Sequence, residues 1–188
     1  MTEWLELETR RSPFEVIRME MERNVRIGGM DLRIRPDRVD KLANGTYVVI
    51  DYKTGPQSPR RIDGDRPDEP QLPIYAVTSD VSLSGVAFGV ARLGELKFSG
   101  VVASDGVLPG LKPVADSPSF PNRVREWGEV LDRIATDFRT GVATVDPKNG
   151  DQTCRYCWLD ALCRVGGRDR SLLDVEDGAE ELPEADSE

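Results

Sequence analysis

Apolar and polar positions alternate most clearly between Met30 and Ile50. Met30-Asp31-Leu32-Arg33-Ile34 alternates strictly, the pattern of a half-buried strand, and leads into two β-prone runs that flank Asn44-Gly45, a strong hairpin signal. The second run, Thr46 to Ile50, is β-branched and aromatic, then changes abruptly to Asp51-Tyr52-Lys53. Upstream, Phe14 to Ile27 reads as one strand turned back by Gly28-Gly29, so this half of the chain predicts a meander of three antiparallel strands. Downstream, Val86–Arg92 and Leu96–Ser104 read as a second strand pair around the Gly94 turn, lying at the edges of the core sheet. From Asn122 to Thr140, Val124, Trp127, Leu131, Ile134 and Phe138 recur at three and four, a core-facing helical stripe stopped by Gly141. Gln71 to Val77 starts a short helix with Pro70 and Pro73 tolerated in its first turn, and Thr2 to Thr9 has weak helical periodicity that ends by Pro13. The expected class is α/β, with α+β character: a central mixed sheet containing an antiparallel hairpin meander, flanked by helices.

A strand that stays apolar until its last residues and then presents an acid and an amine delivers chemistry to its own end. Alternation puts Asp51 and Lys53 on one side. Which upstream acid joins them depends on register. A two-residue Asn44-Gly45 loop pairs Asp51 with Arg38 and places Asp40 on its face, whereas a three-residue loop, Ala43-Asn44-Gly45 with a left-handed Gly45, sets Asp37 opposite Asp51. Both loops are allowed. Two carboxylates directly opposite each other repel, unless a divalent cation sits between them. An acid two residues before a lysine is not unusual in itself, since Asp146-Pro147-Lys148 repeats the spacing in a turn-like context.

The 188 residues suit one domain with a sizeable core. No run of about 18 apolar residues is present to span a membrane, and the alternately charged Met1 to Arg11 is not a signal peptide, so a soluble, cytoplasmic protein is expected. The absence of histidine excludes a Ser-His-Asp triad, a histidine base and a His-ligated metal within this chain. Carboxylates, lysine, tyrosine or a bound ion remain. A net charge of −9 is unusual for a protein that neutralises phosphates, but Asp174 to Glu188 carries eight acids and no base. With that tail set aside, 26 acids face 25 bases, which divides the chain into a domain over residues 1–173 and a disordered acidic tail over 174–188. Thr54 to Pro70 is too polar to pack and should overhang the strand end as a mobile loop, where Arg60 and Arg61 are either phosphate contacts or ordinary solvated charges. All three cysteines, Cys154, Cys157 and Cys163, lie within ten residues, and the first two are spaced to grip one metal centre. Three thiolates do not close a four-ligand cage, and reduced, partly buried cysteines are the plain alternative.

Pro36-Asp37-Arg38-Val39-Asp40, Ile50-Asp51-Tyr52-Lys53-Thr54-Gly55, Gln71-Leu72-Pro73-Ile74-Tyr75 and the cysteines together resemble the nuclease domain of RecB and AddB type helicase-nucleases, within the PD-(D/E)XK superfamily, from about Phe14 to Val165. The resemblance implies a restriction-endonuclease-like core and metal-dependent, exonuclease-like hydrolysis of DNA in repair and recombination. It favours Asp37 over Asp40 as the metal ligand, and hence the three-residue loop. By the same resemblance, Asp37, Asp51 and the backbone carbonyl of Tyr52 hold Mg²⁺ or Mn²⁺, and Lys53 orients the attacking water or offsets developing charge. Gln71 and Tyr75, one above the other at i and i+4, border the site, and Glu20 is the candidate for a first-strand glutamate found near it in some members. AddB-type nucleases hold a [4Fe-4S] cluster with one distant cysteine and three spaced like Cys154, Cys157 and Cys163, and the family has a metal-binding histidine upstream of its Phe14-like strand. Neither the fourth cysteine nor the histidine is in this chain, so a C-terminal piece of a longer protein is expected, with DNA and a helicase portion or partner subunit as partners. Two other readings fit the same residues. One is an inactive DNA-binding or scaffolding module of this fold, and the other a soluble α/β domain with an acidic hairpin.

Overall fold

The computed structural model describes residues 2–113 and 118–164, which fall into two units, Met1–Val142 and Ala143–Glu188. In the first unit the chain runs through α1 (Thr2–Glu8), β1 (Phe14–Met19), β2 (Arg23–Ile27), β3 (Met30–Ile34), β4 (Arg38–Leu42), β5 (Tyr47–Lys53), α2 (Gln71–Val77), β6 (Leu83–Arg92), β7 (Glu95–Val102) and α3 (Phe120–Thr140). Five strands form one mixed sheet in the order β1-β4-β5-β6-β7, in which only β5 and β6 run parallel. The class is the mixed α/β fold expected, with helices around a mixed sheet.

The three-stranded meander is not what forms. The single strand expected over Phe14–Ile27 breaks at Glu20, whose backbone is left-handed (φ 47°), and β2 pairs with β3 in a separate two-stranded ribbon while β1 pairs with β4. Met19-Glu20-Met21-Glu22 keeps alternating straight through this corner, so hydrophobic period alone does not mark it. The ribbon tip docks on α3. The Gly28 N–H donates to Asp132 Oδ1 at 2.7 Å, Arg139 donates to the Gly28 carbonyl at 3.0 Å, and Ile27 is buried with Leu131 and Ala135. Only glycine fits there, because φ at Gly28 is +51° and a Cβ would lie 2.6 Å from that of Ala135.

β6 is buried without interruption from Ser84 to Val90, as a parallel strand covered on both faces should be. It is therefore interior to the sheet and not an edge, and β7 takes the edge. One face packs Val39, Val49, Val86, Phe88 and Val90 against Leu72 and Tyr75 of α2 and Trp127 of α3. The other packs Val48, Ile50, Ala87 and Phe98 against Trp4 and Leu7 of α1.

Two further expectations are corrected. The α3 stripe is core through Trp127, Leu131 and Ala135, but Phe138 is 74 % exposed although its neighbour Arg139 still reaches the ribbon tip, and Gly141 caps the helix in the left-handed conformation. Residues 54–70 are not too polar to pack. They contain a 3₁₀ turn, Pro59–Ile62, whose Ile62 is fully buried, and Asp63 accepts from Arg123 at 2.6 Å and from the Trp127 indole N–H at 2.9 Å. A buried apolar anchor and an acid bonded to α3 help to tie down a segment of polar composition.

In the second unit the described elements are two single turns, α4 (Asp151–Cys154) and α5 (Asp160–Cys163). The acidic tail expected over 174–188 lies outside the described residues.

Candidate active site

The β4–β5 hairpin takes the three-residue loop. Gly45 sits at φ +81°, its N–H donates to the Leu42 carbonyl at 2.9 Å, and the Leu42 N–H donates to the Thr46 carbonyl at 2.8 Å. Asn44 fixes the turn by accepting from the Thr46 N–H at 3.0 Å and its hydroxyl at 2.7 Å. Arg38 is thereby opposite Ile50, and continuing the register one step places Asp37 opposite Asp51.

Asp51 is 2 % exposed at the end of β5. Lys53 Nζ lies 2.8 Å from Asp51 Oδ2 and donates to Gln71 Oε1 at 2.5 Å, so α2 holds the amine over the acid. The approach to Oδ2 is off the direction that a hydrogen bond requires, leaving that oxygen buried beside a charge but without a directed donor. Burial pushes the Asp51 carboxyl above its ordinary range, Lys53 pulls it down, and Asp37 and then Glu69 push it up again. Asp37 Oδ2 accepts from the Tyr52 N–H at 2.7 Å. The N–H and C=O of one strand residue leave on the same edge, so the Tyr52 carbonyl also points to the Asp37 side, away from β6. Tyr75 is buried, and its hydroxyl donates to the Arg35 carbonyl at 3.3 Å. Its phenol is pushed up to about 12 by burial, then by Asp51 and Asp37, with a hydrogen bond from Gln71 pulling the other way.

Asp40 occupies the opposite face of the sheet. Fully buried, it accepts from Arg38 Nε at 2.7 Å and Arg38 Nη2 at 2.9 Å, and pairs with the buried Arg11 at 2.7 Å. Glu8 completes the group, 2.8 Å from each arginine, and Arg38 also donates to the Tyr52 hydroxyl at 2.9 Å. Two arginines and two carboxylates balance, which makes Asp40 a structural acid. The Tyr52 ring lies on this face beside Trp4, over Gly89, where a Cβ would stand 2.7 Å from the ring.

Glu20, with Val16, Met19, Asp37, Arg38 and Tyr52, lines an open cavity of about 640 Å³. Its N–H donates to the Asp37 carbonyl at 3.1 Å, and its carboxylate is 3.8 Å from Arg35. Of the two arginines proposed for phosphate, Arg60 is exposed and Arg61 is engaged with Glu69 at 3.3 Å. Glu69 is the acid that sequence reasoning missed. Its one signal was its place two residues before Gln71. None of the three cysteines is in a disulfide. Cys157 is exposed, Cys154 and Cys163 are half-buried, and the Cys157 N–H donates to the Cys154 carbonyl at 2.9 Å. Among the described residues, no three Cys, Asp or Glu side chains are grouped so as to hold a metal ion.

Two aspartates and a carbonyl are hard oxygen donors that suit a small divalent cation such as Mg²⁺ or Mn²⁺. The Asp51 oxygen that lacks a directed donor fits such a ligand, and an amine fixed beside it suits anionic chemistry. Among the described residues, no helix is long and apolar enough to cross a membrane. A family model described as the PD-(D/E)XK nuclease superfamily matches residues 1–164. No curated protein matches the chain significantly. Among solved structures, the crystal structure of SSO0001 is similar over 86 % of this chain and 67 % of its own, at 18 % identity and a TM-score of 0.42.

Proposed function

As the chain belongs to the PD-(D/E)XK nuclease superfamily, we propose that it is a divalent-metal-dependent deoxyribonuclease domain of the RecB and AddB type, serving DNA repair and recombination beside a helicase portion or partner subunit. The observation that supports this reading best is the convergence of Asp37 and Asp51 from facing strands, with Lys53 Nζ 2.8 Å from the buried Asp51 oxygen. Repulsion between the two acids makes the strand end costly when empty and receptive to a cation.

Asp37, Asp51 and the Tyr52 carbonyl would hold Mg²⁺ or Mn²⁺, which when bound supplies Lewis-acid polarisation of the scissile phosphate. Lys53, fixed by Gln71, offsets the negative charge that develops on the phosphate oxygens, or orients the attacking water by donating to it. Tyr75, on α2 one turn after Gln71, remains a neutral phenol anchored to the Arg35 carbonyl. Glu20 borders an open cavity beside Asp37 that Arg38 and Tyr52 also line. Cys154, Cys157 and Cys163 would supply three thiolates to the [4Fe-4S] cluster of AddB-type proteins. As they stand they are not grouped as a cradle, and they have no part in the hydrolytic step.

The test is cleavage of a DNA oligonucleotide with Mg²⁺ or Mn²⁺, alongside Mn²⁺ binding. Lys53→Ala should lower cleavage by about 100-fold or more while sparing DNA binding, and Asp51→Asn should abolish Mn²⁺ binding. Unchanged cleavage by Lys53→Ala removes the role given to the amine, and no Mn²⁺ binding by the unmodified protein at millimolar metal favours an inactive scaffold.

A further inference from the structure

The mechanism above uses the Tyr52 carbonyl and leaves its side chain without a role. Tyr52 is 37 % exposed, yet that side chain is held at three points. Its hydroxyl accepts from Arg38 Nη1 at 2.9 Å, its ring meets Trp4 edge to face with the centroids 5.5 Å apart, and Gly89 leaves the space that the ring fills. An exposed aromatic fixed in this way is a favourable contact surface, because little side-chain freedom remains to be lost when a ligand packs on it. The ring borders two open cavities. One, of about 640 Å³, is lined also by Val16, Met19, Glu20, Asp37 and Arg38, and the other, of about 510 Å³, by Trp4, Leu93 and Leu96 among others. In the first, Met19 is 72 % exposed and Val16 41 %, so apolar side chains face solvent beside Asp37. The charges of this cavity do not suit a bare phosphate. Glu20 and Asp37 are acids, and Arg38 is engaged by Glu8 and Asp40 at 2.8 and 2.7 Å. A flat, uncharged group with apolar faces meets neither obstacle.

Resting on the DNA-cleaving reading above, we propose that the cavity beside Asp37 is a nucleobase subsite, which takes an unpaired base of the bound strand against Met19, Val16 and the Tyr52 ring. The cavity adjoins the place where that strand's phosphate is held. Asp37 is at once a wall of the cavity and a ligand in the proposed metal site, and Tyr52 gives its carbonyl to the one and its side chain to the other. A base is joined to its phosphate through a single sugar, so a phosphate held at Asp37 brings a base into the adjoining space. That base is unpaired, because one stacked inside a duplex has no free face to offer. Packing of this kind is tolerant of sequence, since every base has a π-face. It supplies affinity where the acids of the site repel the backbone.

The experiment compares two single strands of equal length and charge, a thymidine oligonucleotide and the same deoxyribose-phosphate backbone with abasic sites throughout. Binding of each to the intact chain is read by fluorescence anisotropy in Ca²⁺, with strand integrity checked on a gel and thermal unfolding as a check that each variant is folded. The unmodified protein should favour the thymidine strand. Tyr52→Leu should weaken binding of that strand by about 10-fold, the scale of one lost aromatic contact to a base, and should leave the abasic strand unaffected. Met19→Ala, at an exposed position that folding does not depend on, should act in the same direction, and Tyr52→Phe should keep the preference for bases because it keeps the ring. Equal losses for both strands mark these side chains as braces and overturn the proposal, as does equal affinity of the unmodified protein for the two strands. Mn²⁺ binding to the unmodified chain separates this from the reading beneath it. If the ion binds and neither Tyr52→Leu nor Met19→Ala discriminates the strands, this proposal alone falls. If no ion binds and the base-dependent loss persists, the metal-dependent reading falls and the subsite stands.

Discussion

Asp37 and Asp40 are three residues apart on opposite faces of the sheet, and the proposed function gives them opposite work, which Asp40→Asn tests. Asp40 is fully buried between Arg11 and Arg38, with contacts of 2.7 Å to each. Replacing its carboxylate by an amide leaves two guanidinium groups facing the one carboxylate of Glu8, so a balanced group acquires an uncompensated buried positive charge. Breaking a buried pair from one side costs about 3–5 kcal/mol. Glu8 still contacts both arginines, and Arg11 already leaves Nε and Nη2 without hydrogen-bond partners, so the lower figure applies, about 3 kcal/mol. In a unit of this size that is a fall of about 10 °C in melting temperature, measured by thermal or urea unfolding monitored by circular dichroism. The variant should bind Mn²⁺ as the unmodified protein does, because its side chain is across the sheet from Asp51. Asp37→Asn should do the reverse, losing Mn²⁺ with little change in stability. A stable Asp40→Asn that no longer binds metal would refute the assignment of the two acids and, with it, the importance of the three-residue loop.

Other outcomes follow from the same structure. Ile62→Ala should cost about 2–5 kcal/mol in urea unfolding, since a fully buried side chain anchors residues 54–70; a loss below 0.5 kcal/mol would restore the loose overhang expected from composition. Glu20→Gly should raise stability by about 1 kcal/mol by relieving a left-handed backbone, and the thermal midpoint reports it. In a spectrophotometric titration, one tyrosine, absent in Tyr75→Phe, should ionise near 12. Because its folded pKa is raised above the unfolded value of about 10, the stability it contributes is present below pH 10 and is lost as pH rises through 10 to 12.

Most elements were legible in the sequence because period and punctuation agreed: Asn44-Gly45 for the hairpin, the spacing of Trp127 and Leu131 for α3, and the apolar run that made β6. The register of Asp37 and Asp51 was not, since two- and three-residue loops are both compatible with Ala43-Asn44-Gly45 and differ only in whether Gly45 closes a bulge. Strand order was hidden for a different reason. The corner at Glu20 depends on a backbone angle that side-chain alternation does not encode, and the β1–β4 pairing joins segments about 20 residues apart that local pattern does not match to each other. At the strand end, Asp51 and Lys53 were visible through their spacing. Glu69, which pairs with Arg61 and whose charge is felt at Asp51, was not, because it belongs to a polar segment whose folding rests on Ile62 and Asp63.

The chain departs from the main sheet after Met19 and comes back at Arg38, and the Glu20 N–H to the Asp37 carbonyl stitches the two margins of that excursion together. Like a seam closed before the fabric beyond it is gathered, this single link ties the backbone of Asp37 to the end of β1 directly, whatever side chains the outer face of the ribbon carries. Substitutions at the exposed ribbon positions Asn24, Arg26, Asp31 and Arg33 should therefore leave the acid at its base undisturbed, whereas Ile27, Gly28 and Ile34 are tied to α3 and the core.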